Sequence, residues 1–253
     1  MAEPPPGTTT CDRVLGGRLI LAQPKTGHRV GHDAVLLAAA APADARRMVD
    51  LGAGIGAAGL AFLARCPEAE GVLVEIDPAL ADLARANAAA NGMAGRCRAA
   101  AADVLALGRP AGPAEVAAGA ADLVLMNPPY NARATHNVSP EGGRALAHDA
   151  ADGLLEGWVK SAYRCLAPAG TLCLIHRPQA LAEILAALSG RFGAAELIPL
   201  FPAPSAPAGR LIVRARKGRR TPPALLPGLV LAAADGRPSP AAEAILRQAQ
   251  PLA

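Results

Sequence analysis

Val49-Asp50-Leu51-Gly52-Ala53-Gly54-Ile55-Gly56 is the stretch that decides the fold. Residues 48–51 predict a short buried strand ending near Leu51. Glycines at 52, 54 and 56 then permit a tight turn and let a ligand approach the backbone closely. Residues 57–66 predict a helix whose N-terminus faces that ligand, and 71–75 predict the next strand, which closes a βαβ unit. Glu75 ends that strand about 20 residues after the glycines, where a carboxylate accepts hydrogen bonds from ribose hydroxyls. Gly54-x-Gly56-x-x-Gly59 also satisfies the dinucleotide fingerprint, so a nicotinamide enzyme is a competing reading at this point. A glycine-rich turn without any function is the other.

Outward from this unit, polar residues recur at strand ends. Asp103 closes the segment 98–103, and the apolar run 121–126 leads into Asn127-Pro128-Pro129-Tyr130. With Asp50 and Glu75, four successive strands each end in a polar residue. In a parallel sheet all four open on one edge, the edge where open α/β folds bind ligands.

Asn127-Pro128-Pro129-Tyr130 is suited to gripping a planar amino group and offering its nitrogen to an electrophile. The Asn side-chain carbonyl accepts an amino hydrogen. Each proline fixes its own φ and restricts the residue before it, which sets the direction of the backbone carbonyls. The Tyr130 ring can stack on a flat ring. The plain alternative is a loop, since Asn and Pro favour turns and 24 prolines make chance Pro-Pro pairs common. The glycine motif upstream weighs against it.

Together, residues 50–56 and 127–130 resemble a class I S-adenosylmethionine (SAM) methyltransferase that modifies an amino nitrogen. The segment Gln23-Pro24-Lys25-Thr26-Gly27-His28-Arg29-Val30-Gly31-His32-Asp33-Ala34-Val35-Leu36-Leu37 is similar to the lead-in of the bacterial tRNA1(Val) adenine-N6 methyltransferase family. The resemblance runs from about Asp12 to Lys217. It implies a Rossmann-like, doubly wound, mostly parallel seven-stranded sheet with an antiparallel last strand. It implies SAM as cofactor, with the 52–56 turn (Gly52, Ala53, Gly54, Gly56) cradling its amino-acid end and Asp50 orienting its ammonium. Glu75 would hold the ribose, Asp103 would accept from the adenine amine, and Ile76 and Val104 would sandwich that ring. Asp33, with His32, would close the methionine side; the alternative for Asp33 is a helix cap. Asn127, Pro128, Pro129 and Tyr130 would be catalytic, with Asn127 also among the residues that bind SAM and Tyr130 stacked on a flipped adenine. The expected partner is RNA, specifically tRNA, and no metal is required.

Composition agrees. The chain has 253 residues, 52% hydrophobic and 18% charged, with mean hydropathy +0.25, as a globular protein with a substantial core has. No apolar run reaches the roughly 18 residues a membrane span needs, and Met1-Ala2-Glu3-Pro4-Pro5-Pro6 lacks the features of a signal peptide. Cys11, Cys66, Cys97, Cys165 and Cys173 are scattered and odd in number, as expected of reduced thiols in a cytoplasmic protein.

Net charge is +4, but residues 206–253 carry eight Lys/Arg against two Asp/Glu, an excess centred on Arg210, Arg214, Arg216, Lys217, Arg219 and Arg220, so the rest of the chain sums to −2. Arg214, Arg216, Lys217, Arg219 and Arg220, with Arg133 in the loop after Tyr130, are the candidate RNA contacts. A solvated charge run is the alternative for the first five. His136 and Arg144 are left open between substrate and solvent. His28, His136, His148 and His176 read as surface or hydrogen-bonding residues, and Trp158 and Tyr163 as core anchors.

The organisation predicted is one methyltransferase domain over 12–218. It is flanked by a Pro/Thr-rich stretch, 1–11, expected to be disordered, and by a Pro/Ala-rich basic extension over 219–253. Further elements predicted are a strand at 19–21, helices at 31–41, 78–91, 143–166 and 179–188, a strand at 171–176, a final antiparallel pair at 196–201 and 211–216, and a helix at 240–248. The expected activity is methylation of adenine N6 in RNA, in tRNA beside the anticodon (position 37). Alternatives are ribosomal RNA amino-methylation, glutamine methylation in a release factor, and a non-catalytic SAM- or RNA-binding module.

Overall fold

The computed structural model describes residues 9–25, 31–109, 112–130 and 153–252. It begins with an antiparallel hairpin, β1 (Thr9–Val14) and β2 (Leu19–Pro24). Thr9, Thr10 and Cys11 therefore lie in a strand, not in the disordered segment expected over 1–11. Ladder pairs from Thr9–Pro24 to Val14–Leu19 hold them there, and Leu19 and Leu21 are buried beneath.

Helix α1 (His32–Ala40) follows. Strands and helices then alternate: β3 (Arg47–Leu51), α2 (Ala57–Arg65), β4 (Glu70–Glu75), α3 (Pro78–Ala90), β5 (Cys97–Ala101) and β6 (Ala121–Met126). After α4 (Leu154–Cys165) come β7 (Leu166–His176), α5 (Leu181–Leu188), β8 (Phe192–Phe201) and β9 (Arg210–Lys217). The sheet order is β5-β4-β3-β6-β7-β9-β8. All neighbours are parallel except β9, which runs antiparallel to both β7 and β8. This is the doubly wound sheet expected. Two short strands, β10 (Ala224–Leu225) and β11 (Leu229–Val230), extend it alongside β8. The winding reverses between β3 and β6, which leaves a crevice at their carboxyl ends.

Period-two alternation sends neighbouring strand residues to opposite faces. Leu123 and Leu125 join the core under α1, α2 and α3, while Val124 and Met126 join the one under α4 and α5. Each fully buried Leu or Ile contributes roughly 1.5–3 kcal/mol, and both faces are lined by them. No helix among the described residues is long and apolar enough to cross a membrane.

Two asparagines on α3 tie the hairpin to the sheet. Asn87 Nδ2 donates to the carbonyls of Ala22 and Ile55, and its Oδ1 accepts from Ala22 N. Asn91 makes the same reciprocal pair with Ile20. One turn apart on the helix, they replace a missing strand partner for β2. Through Ile55, Asn87 also anchors the glycine turn.

The C-terminal extension is built into the fold. Helix α6 (Pro240–Gln248), at the bounds the sequence predicts, starts on a Ser239 cap and packs on α1 and the turn at Leu15–Gly17. Leu252 N donates to Ala39 O, and Arg65 donates to the carbonyls of Ala38 and Ala249. Of the stretch 143–166 predicted as helix, 143–152 lies outside the described residues. Gly153 caps α4, which continues unbroken through Gly157.

Candidate active site

The carboxyl edge gathers Asp50 and the glycine turn from β3, Glu75 from β4, Asp103 after β5, Asn127 after β6 and His176 at the end of β7. Because β9 is antiparallel, its first residue, Arg210, reaches the same edge beside His176, which pairs one position on with Leu211.

Three glycines of the turn have left-handed backbones: Gly52 (φ +67°), Gly54 (+56°) and Gly56 (+87°). Their surroundings differ. A Cβ at Gly52 would overlap the Trp158 ring, and one at Gly56 would lie 2.8 Å from Leu73 Cδ1. A Cβ at Gly54 would meet nothing within 4 Å. Gly52 and Gly56 thus let the turn pack on the protein, while Gly54 presents its bare backbone to open space where a cofactor would lie. Gly54→Ala is therefore expected to cost about 1 kcal/mol of stability for its left-handed backbone. It should lose SAM affinity about tenfold or more as the methyl enters that space. Gly52→Ala should instead cost about 2–3 kcal/mol in stability. Chemical denaturation and calorimetric titration of SAM against the two variants check the contrast.

Glu75 is buried, and both its oxygens accept backbone donors. Oε2 takes Gly54 N at 2.8 Å and Oε1 takes Asp77 N at 3.0 Å. Each oxygen keeps a further lone pair for a ribose hydroxyl. Asp50 lies beneath the turn at 3% exposure, with Oδ2 accepting from Gly59 N at 2.8 Å in the first turn of α2. Burial, opposed by the Gly59 bond and reinforced by the Glu75 charge, pushes its carboxyl up to about 7.

The folded state holds the Asp50 proton more tightly than the unfolded chain does. The stability gained from it is therefore present below about pH 4 and is lost as pH rises through about 7. Asp50→Asn keeps an acceptor for Gly59 N and removes the ionisation cost. Without ligand, the variant is expected to exceed wild type by ~2–4 kcal/mol above pH 8 and to converge with it at low pH. Melting curves across pH check this.

Other residues named from the sequence are placed unevenly. Ile76 is 61% exposed at the edge, as an adenine contact requires. Val104 is 4% exposed and belongs to the core under α4, so it offers that ring little surface. Asp103 is exposed, and its Oδ1 accepts from Leu105 N at 2.8 Å. Ala53 N donates to Val74 O, which ties the turn to β4. His32 is exposed at the start of α1. Asp33 does not cap α1; its carboxylate takes Arg210 Nε at 2.7 Å and the Tyr130 hydroxyl at 3.2 Å.

Asn127 is half-buried and Pro128 buried. The Tyr130 hydroxyl lies 3.1 Å from Asn127 Oδ1. The His176 ring meets the Tyr130 ring edge-on, with centroids 4.8 Å apart, and Arg210 Cζ lies 5.3 Å from the Tyr130 centroid. Burial pushes the Tyr130 phenol up to about 12, helped by the Asp33 charge. His176 is 4% exposed, not a surface residue, and burial lowers its pKa, so the imidazole is neutral near pH 7. Neither Arg210 nor His176 stands out in sequence as a site residue.

The basic cluster lies elsewhere. Arg216 pairs with Thr171, midway along β7, and Lys217 with Phe192, at the amino end of β8. At about 3.4 Å per residue, Arg216 is roughly 20 Å along β9 from Arg210. Lys217 Nζ donates to the carbonyls of Tyr163 and Leu166 and sits 4.4 Å from the Tyr163 centroid. Arg214 pairs with Glu196 at 2.7 Å. Those two cations serve the fold. Arg216, Arg219 and Arg220 are exposed; the first two line a surface cavity of about 380 Å³ with Thr221. Arg133, His136 and Arg144 lie outside the described residues, as do His28 and His148. Trp158 and Tyr163 are core anchors: Trp158 underlies the glycine turn, and Tyr163 meets Phe192 edge-on at 5.7 Å.

The chain is similar to several known methyltransferases. A tRNA1(Val) (adenine(37)-N6)-methyltransferase from Porphyromonas gingivalis is 35% identical over 152 residues, 58% of either chain. The chain thus spans 58% of the length of the curated relatives it matches. A crystal structure of a predicted O-methyltransferase from Agrobacterium tumefaciens is 32% identical, with TM-score 0.70 over 84% of this chain and 94% of that one. The Thermus thermophilus 16S rRNA N2 G1207 methyltransferase, solved with AdoMet and guanosine, shares the fold at 23% identity, with TM-score 0.55 over 85% of this chain and 52% of that one. Residues 29–199 match the family model for the methyltransferase small domain, and the chain belongs to that family.

Proposed function

We propose that the chain is a SAM-dependent N-methyltransferase acting on the exocyclic N6 of an adenine in RNA, in tRNA beside the anticodon. The observation that carries this reading is that Asn127, after β6, ends its strand on the same sheet edge as the glycine turn after β3 and Glu75 at the end of β4, where the sheet order reverses. The curated relative named above as a tRNA adenine-N6 enzyme supports the choice of adenine and tRNA.

The described residues fit SAM. Gly54 leaves room beside its backbone, Glu75 has lone pairs for two ribose hydroxyls, and exposed Ile76 offers a face to adenine. Asp50, once ionised, is the carboxylate for the ammonium. SAM affinity should then weaken as pH falls below about 7, where Asp50 holds a proton. When bound, the sulfonium supplies an already activated methyl group.

The chain's own residues ready the nitrogen. An exocyclic adenine amine is a poor nucleophile because its lone pair is delocalised into the ring. Hydrogen bonds from the amine to Asn127 Oδ1 and the Pro128 carbonyl favour a pyramidal nitrogen and aim its lone pair. Tyr130 stacks on the extruded base. Alignment and preorganised dipoles supply most of the rate gain. In this reading exposed Arg216, Arg219 and Arg220, toward the far end of β9, would meet RNA beyond the target nucleotide, with Arg133 nearer in sequence to Tyr130.

Labelled SAM offered in parallel to unmodified tRNA, ribosomal RNA and a release factor tests the reading. Label in tRNA is expected. Label in protein would move the assignment to glutamine, whose amide suits the same grip. SAM binding without transfer to any of the three would point to a binding module.

A further inference from the structure

The Tyr130 hydroxyl lies within hydrogen-bond distance of two oxygens, Asn127 Oδ1 at 3.1 Å and Asp33 Oδ2 at 3.2 Å. A phenol has one proton, and neither a side-chain carbonyl nor a carboxylate can supply another. The two acceptors compete. Asp33 is held in an ion pair by Arg210 Nε at 2.7 Å, and bonds to an ionised acceptor are roughly twice as strong as neutral ones. Arg210 is itself fixed through Nη1 to Gly209 O at 2.9 Å. The neighbouring His176 ring restricts how far Tyr130 can turn. The phenol is held neutral, with its proton available to donate.

We propose that Asp33, clamped by Arg210, takes the Tyr130 hydrogen bond and so keeps Asn127 Oδ1 open for the substrate amine. Asp33 and Arg210 are positioning residues of methyl transfer. Without the carboxylate, the hydroxyl turns to Asn127 and occupies the acceptor the amine needs. This rests on the reading of Asn127 as that acceptor.

Wild type, Asp33→Ala and Asp33→Ala/Tyr130→Phe are compared in single-turnover transfer from labelled SAM to unmodified total tRNA, with SAM binding followed by calorimetry. Asp33→Ala leaves no oxygen at 33 to accept the hydroxyl. It is expected to transfer about tenfold more slowly or worse at saturating RNA while binding SAM within about threefold of wild type. Adding Tyr130→Phe should recover most of that loss, because no hydroxyl remains to block Asn127. A fall in SAM affinity that accounts for the lost rate overturns the proposal, as does a double variant slower than Asp33→Ala. A second readout needs no RNA. The chain has two tyrosines, so ring-labelled protein resolves Tyr130 by NMR. Tyr130 should ionise at lower pH in Asp33→Ala than in wild type; identical titrations overturn the hydrogen-bond assignment. A shifted titration with no transfer to tRNA by wild type would sink the adenine reading and leave the Tyr130–Asp33 assignment supported.

Discussion

Asn127→Ala should lose methyl transfer by about 10³-fold while binding SAM as tightly as wild type does. The size follows from what the side chain supplies. Its Oδ1 stands at the carboxyl end of a buried strand, fixed by two prolines, where an amine must find an acceptor before its lone pair can be directed. Alanine leaves the amine flat and unaligned, so both preorganised electrostatics and orientation are lost together. SAM affinity is spared because the cofactor cradle is built from β3 and β4, across the crevice. Asn127→Asp tests geometry against charge: it keeps an oxygen in place and should retain more activity than alanine. Equal rates for wild type and Asn127→Ala would end the mechanism.

Glu75→Ala should weaken SAM binding about 100-fold or more. Its two oxygens are already committed to Gly54 N and Asp77 N, and the same atoms are to meet the ribose. Removing them releases the glycine turn and the ribose contacts at once. Glu75→Gln is the sharper variant. An amide has only one oxygen, so its –NH2 must face either Gly54 N or Asp77 N, donor against donor. Glutamine should therefore be nearly as damaging as alanine, with at least about a tenfold loss of affinity. A second effect follows from charge. Glu75 helps raise Asp50, so Asp50 should titrate lower in Glu75→Gln. Calorimetry for SAM and pH-dependent melting read the two effects separately; wild-type affinity in Glu75→Gln would remove Glu75 from the cofactor site.

The parts of this fold that depend on local chemistry are visible in the sequence. Glycines that need positive φ, a carboxylate at a strand end and Asn-Pro-Pro-Tyr after an apolar run each declare themselves within a few residues. What escapes is set by distant neighbours. Thr9–Cys11 reads as disordered because its composition resembles a tail; a ladder to β2 and the α3 asparagines order it. Arg210 reads as one of a basic cluster because charge alone does not reveal strand direction. Once β9 runs antiparallel to β7, its first residue must reach the catalytic edge and its last must leave it, so Arg210 parts company with Arg216, Lys217, Arg219 and Arg220. His176 escapes for the same reason: a histidine ending a strand prediction has no visible partner until Tyr130 arrives from the next strand over. Val104 reads as a ring contact by its place after Asp103, but the 3-10 turn that Asp103 caps rotates it into the core.

The most direct measurement is nucleoside analysis by mass after wild type and Asn127→Ala are each given SAM and unmodified tRNA. N6-methyladenosine from wild type and none from Asn127→Ala is the predicted result. A different methylated nucleoside, or N6-methyladenosine formed equally by both proteins, would contradict the adenine–Asn127 mechanism.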